Sequence, residues 1–130
     1  MRNILLPFLL LTLINTVNAQ HSIIPEPVSY ESNTDVFVLG TELRVTINTK
    51  DEQANKYANQ FITFLEKAGI KVLNGNSKKG NSLTISLNKK ENTEIDIEGY
   101  KLTVTANNIA LSANEAAGIF NGLQTLRQLL

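Results

Sequence analysis

The chain has no cysteine, no tryptophan and one histidine, His21. Without cysteine there is no disulfide to staple the fold and no thiolate to act as nucleophile or metal ligand. A single histidine cannot supply the paired imidazoles of an H-E-x-x-H zinc site. Charge of one sign is also missing, because 12 basic residues meet 12 acidic ones and aromatics make up only 6%. Lys78-Lys79 and Lys89-Lys90 are isolated doublets that read as solvated loop charges. A nucleic-acid groove needs a basic stripe interleaved with stacking rings, and nothing here offers one. The longest apolar stretch, Ile4 to Ile14, is broken by Pro7 and Thr12. It falls short of the roughly 20 residues that a membrane span needs.

That stretch reads as an export signal. Met1-Arg2-Asn3 carries one positive charge, the apolar core follows, and Val17 and Ala19 stand at the −3 and −1 positions of a cleavage site. Residues 1–19 are therefore expected to be removed, leaving Gln20 as the first mature residue. No cysteine follows the cleavage site, so lipid attachment there is not expected. The protein is expected in the periplasm or outside the cell. His21 then lies beside a free terminus, where no scaffold holds it as the base of a Ser-His-Asp or Cys-His constellation.

Residues 20–130 suffice for one domain with a modest core. After the lead-in Ile23-Ile24-Pro25-Glu26-Pro27, the short apolar run Val36 to Leu39 reads as a strand. Leu43, Val45 and Ile47 alternate with polar residues as a strand with one wet face. Thr49-Lys50-Asp51-Glu52 has the capping-box pattern, and Ala54, Tyr57, Ala58, Phe61, Leu65 and Ala68 form one helical stripe that Gly69 stops. Ile70 to Leu73 and then Leu83, Ile85 and Leu87 make further strands. Tyr100, Leu102 and Val104, the turn Ala106-Asn107-Asn108, and Ile109 and Leu111 form a hairpin, with asparagine suited to positive φ. Ser112-Ala113-Asn114-Glu115 reads as a second capping box. It opens a helix with Ala116, Ile119, Phe120, Leu123, Leu126 and Leu130 on its apolar side. The expected fold is α+β, a mostly antiparallel β-sheet covered by two helices. The last helix reaches Gln128-Leu129-Leu130 without a polar cap or a glycine stop, which reads as an element that further chain would cover.

Three segments carry a family resemblance: Glu98-Gly99-Tyr100-Lys101-Leu102-Thr103-Val104, Ile109-Ala110-Leu111-Ser112-Ala113, and the run from Gly118 to Leu130. Together they resemble the region just before the catalytic barrel in family 20 glycoside hydrolases, the β-N-acetylhexosaminidases. The lead-in Ile24-Pro25-Glu26-Pro27 is similar to the start of the same domain. The resemblance implies a zincin-like, non-catalytic N-terminal accessory domain over residues 20–130, with the catalytic TIM barrel absent from this chain. In that family an adjacent Asp-Glu pair in the barrel does the chemistry. The Glu protonates the glycosidic oxygen, and the Asp orients the substrate's own acetamido group as nucleophile. Neither position exists here, so no catalytic residue is carried over and no cofactor is implied.

Remaining candidates are weighed on their own residues. Glu94, Asp96 and Glu98 alternate with isoleucines and would share one strand face, as a solvated edge more readily than a calcium site. Asp51-Glu52 fall in a helix's first turn, where acids suit the dipole. Gly118 and Gly122, four apart on the last helix, point to close packing against the sheet or the barrel. With Gln124, Thr125, Gln128, Leu129 and Leu130 they form the expected barrel interface. Tyr57, Phe61 and Phe120 read as core, whereas Tyr30 and Tyr100 are the rings free to meet a ligand. The reading is thus a secreted β-N-acetylhexosaminidase domain that meets glycan only through its barrel, as a truncated chain or half of a two-chain enzyme. The alternative is a free-standing secreted module that binds carbohydrate or protein.

Overall fold

The computed structural model describes residues 23–24, 26–75 and 80–130. The export signal, His21 and the Lys78-Lys79 doublet lie outside the described residues. The element order is β1 (Glu42–Asn48), α1 (Glu52–Lys67), β2 (Lys71–Asn74), β3 (Ser82–Leu87), β4 (Tyr100–Val104), β5 (Asn108–Ala113) and α2 (Ala116–Leu129). One sheet has the order β2-β1-β3-β5-β4. The α+β architecture with two helices stands, but the sheet is mixed. β2, β1, β3 and β5 pair in parallel, and only β4 runs against its neighbour β5. The alternation in these strands reports burial on one face, which is blind to strand direction.

Parallel register aligns the apolar positions into rows. Val45 lies opposite Leu83, Leu83 opposite Ile109, and Ile109 opposite Val104. A second row runs from Ile47 through Ile85 and Leu111 to Leu102. Ala54, Ala58, Phe61 and Leu65 of α1 and Ile119, Leu123 and Leu126 of α2 close over these rows in a single core. Both helices therefore cover the same face. The other face carries Arg44, Thr46, Thr84, Ser86, Lys101, Thr103 and Ser112, all exposed or half-buried. A polar, hydroxyl-rich surface of this kind tolerates water without a covering layer.

Several local expectations change. Residues 36–39 form no strand; Phe37 and Leu39 pack on the core while Val36 and Val38 face outward. Asn81 fixes this segment by donating to the Val38 carbonyl. The N-cap of α1 is Asp51, whose Oδ1 accepts from the Ala54 amide at 2.7 Å, and Thr49 Oγ1 accepts from the Asp51 amide instead. At the other end Gly69 adopts φ +86°, its amide donates to Glu66 and that of Ile70 donates to Leu65. Those two bonds satisfy the last helical carbonyls. Ser112 belongs to β5, and α2 begins after Glu115, which makes no side-chain cap bond. The hairpin turn contains no positive-φ asparagine. The Thr105 hydroxyl closes it, accepting from the Asn108 amide and donating to the Asn108 carbonyl.

Candidate docking surface

The two layers present different surfaces. On the helical side, Tyr57 and Phe120 meet with ring centroids 5.0 Å apart, and the Arg127 guanidinium lies 4.9 Å from the centre of the Phe64 ring. Tyr57 and Phe64 are two turns apart on α1, as are Phe120 and Arg127 on α2, so the helices run side by side in the same direction. Their seam is lined by aromatic and cationic contacts. Such contacts each contribute about 0.5–1.5 kcal/mol beyond area burial. Phe120 is 40% exposed, and Leu129 and Leu130 at the end of α2 are 45% and 47% exposed. Phe120, expected in the core, thus presents part of its ring to the outside.

α2 lies close to the sheet because two of its residues lack a side chain. A Cβ on Gly118 would stand 2.0 Å from the Gly99 carbonyl oxygen and 2.7 Å from the Ala113 Cβ. A Cβ on Gly122 would stand 2.2 Å from Leu111 Cδ1. Both glycines therefore face the domain's own sheet and the turn before β4. Thr125 is buried as well, and its hydroxyl meets the Tyr100 hydroxyl at 2.6 Å. Of the residues expected at the barrel interface, these three are consumed inside the domain. Gln124 is half-buried, whereas Gln128, Leu129 and Leu130 remain at the surface.

Gln128 has a defined task there. Its Oε1 accepts from the Ile24 amide at 2.9 Å, and its Nε2 donates to the Ile24 carbonyl at 2.8 Å. One side chain thereby imitates a strand neighbour and ties the lead-in to the end of α2. Ile24, Val28 and Tyr30 on this lead-in are strongly exposed. Tyr100, expected as an exposed ring, instead turns inward to Thr125.

The connection from β3 to β4 is organised by Asn114, which lies between the two capping residues of the expected box, Ser112 and Glu115. Its Oδ1 accepts from Asn88 Nδ2 and the Asn92 amide, and its Nδ2 donates to the carbonyls of Asn92 and Ile95. Glu94, Asp96 and Glu98 sit in this turn-rich connection, not in a strand, so they share no pleated face. Glu91, Glu94 and Asp96 border a shallow depression with Ile97. At the opposite edge of the sheet Lys71 Nζ lies 2.7 Å from Glu42 Oε1. The hydrogen bond and the positive charge of Lys71 hold the Glu42 carboxyl below its ordinary pKa.

This arrangement matches a known domain. Residues 20–130 match the family described as Glycosyl hydrolase family 20, domain 2. The chain belongs to that family. Among solved structures, the GH20 β-N-acetylhexosaminidase from Streptomyces coelicolor A3(2) is similar, with 26% identity and a TM-score of 0.63 over 85% of this chain and 22% of that one. CpGH84D shares the fold at 21% identity and a TM-score of 0.66, over 86% of this chain and 22% of its own. A GH138 enzyme targeting pectin rhamnogalacturonan II shares it at 16% identity and a TM-score of 0.55, over 63% of this chain and 12% of its own. Among curated proteins none matches by sequence. The chain therefore spans about a fifth or less of the solved chains that it resembles. A family 20 domain 2 is normally paired with a catalytic barrel domain.

Proposed function

We propose that this chain is the non-catalytic accessory domain of a β-N-acetylhexosaminidase, and that its helical layer docks on the catalytic barrel. The family match over residues 20–130 carries the reading. Phe120, Leu129 and Leu130 are exposed on α2, and exposed apolar side chains there support the helical layer as the docking side over the hydroxyl-rich opposite layer. Hydrolysis of terminal N-acetylhexosamine belongs to the barrel, and the domain contributes support to it. Glycan reaches this domain only through its partner. Export is part of the same proposal and rests on the charge, apolar core and small residues of segment 1–19. N-terminal sequencing of the exported protein should begin at Gln20.

The gene sequence beyond the codon for Leu130 tests the reading. An in-frame barrel with an adjacent Asp-Glu pair is the expected result. A stop codon with no barrel encoded nearby would overturn it and favour a free-standing binding module, which an affinity gel with immobilised glycans would then reveal.

A further inference from the structure

Two Asn-Gly dipeptides occur in the chain, Asn74-Gly75 and Asn121-Gly122, and the fold treats them in opposite ways. Asn74 is the last residue of the edge strand β2 and pairs only with Val45 on its inner side. Both Asn74 and Gly75 are exposed. Gly75 has φ +125°, and the position its Cβ would take has no atom within 4 Å. Among the described residues, its carbonyl accepts from the Thr46 hydroxyl at 3.4 Å, near the limit of a hydrogen bond. Asn121, by contrast, lies within α2 and donates from Nδ2 to the Glu98 carbonyl at 2.9 Å. Gly122 beside it is buried against Leu111.

We infer that Asn74-Gly75 is a self-modifying site that converts to aspartate and isoaspartate through a cyclic imide, while Asn121-Gly122 is held in its amide form by the fold. The Gly75 backbone amide gives its proton to hydroxide, and its nitrogen attacks the Asn74 Cγ. The new C–N bond closes the ring as the bond to Nδ2 breaks and ammonia leaves. Water then opens either carbonyl of the imide, leaving aspartate or isoaspartate. Water is the only other reactant, and no oxidation occurs. Ring closure needs backbone conformations that a glycine on the C-terminal side permits and that an exposed strand end leaves open. Inside α2 the helical geometry, the Glu98 bond and the packing against Leu111 deny that movement. The product adds a negative charge beyond Lys71 on the same edge strand. Its isoaspartate form lengthens the β2 backbone at the residue that pairs with Val45, so the strand should fray from that end.

The test is peptide mass spectrometry on the whole chain incubated at mildly alkaline pH, in native buffer and in concentrated urea. In native buffer Asn74 should convert while Asn121 keeps its amide; in urea both should convert at similar rates. Asn74→Gln should abolish conversion at this position, and Gly75→Ala should slow it by about tenfold, because a Cβ removes the backbone freedom that the ring requires. Retention of the Asn74 amide in native buffer, while urea converts both sites, would overturn the inference. So would conversion of Asn121 at the pace of Asn74. The readout is independent of glycan hydrolysis, so its outcome is separate from that of the proposed function.

Discussion

Gly118 and Gly122 are both in contact with the sheet, yet their substitutions should differ in cost. The first neighbour of a Cβ on Gly118 is a backbone carbonyl, which cannot rotate away; on Gly122 it is a leucine methyl, which can. Gly118→Ala should therefore destabilise by about 2 kcal/mol net, the upper range for overpacking of about 3 less the roughly 1 kcal/mol gained in helix propensity. Gly122→Ala, at the lower end of the overpacking range of about 1 kcal/mol, should come out near neutral after the same gain. Urea denaturation of the two variants measures both; equal costs would contradict the geometry. Glu42 provides a second residue-level case. Its lowered pKa means that the Lys71 contact contributes stability above the ordinary carboxylate range, and the contribution is lost as pH falls through the lowered folded value. An NMR titration should find the Glu42 midpoint below the ordinary value, and Lys71→Met should return it. Both groups are well exposed, so salt should weaken the effect.

At the scale of elements, the β3–β4 connection depends on one side chain. Asn114→Ala removes four hydrogen bonds and leaves carbonyls of Asn92 and Ile95 without that partner. A loss of about 1–3 kcal/mol should follow, with faster amide exchange between Asn88 and Gly99 and unchanged exchange in α1. The helices and the central strands were legible in the sequence because burial on one face writes a period of 2 or 3.6 into the residues. Leu43, Val45, Leu83 and Ile85 announce their strands in this way, and Phe61 and Leu65 their helix. Strand direction was not legible, since it follows from which ends the connections join. The helix starts were displaced for a related reason. The hydroxyls at Thr49 and Ser112 satisfy the rules for a cap, but Thr49 is taken by a turn with the Asp51 amide and Ser112 is taken into β5. Residues 36–39 carry a strand-like run but find no ladder to join. Of the candidate surface, the small-residue face of α2 was visible, but its target was not, because a glycine records close approach without naming the neighbour. The Gln128 clamp on Ile24 joins positions at opposite ends of the sequence and has no local signature at all.

For the whole molecule, the proposed docking rests on the asymmetry between the two layers. One layer is a hydroxyl-rich sheet; the other is a helical layer with Phe120, Leu129 and Leu130 exposed on α2. The domain by itself should release no product from a chromogenic N-acetyl-β-hexosaminide, since the chemistry of the family resides in the barrel. The most direct measurement is hydroxyl-radical footprinting of this domain, alone and in the polypeptide that joins it to its barrel. Labelling of Phe120, Leu129 and Leu130 should fall on joining while Lys101 and Thr103 on the open sheet face remain accessible. Protection of the sheet face with an unchanged Phe120 would contradict the proposed docking.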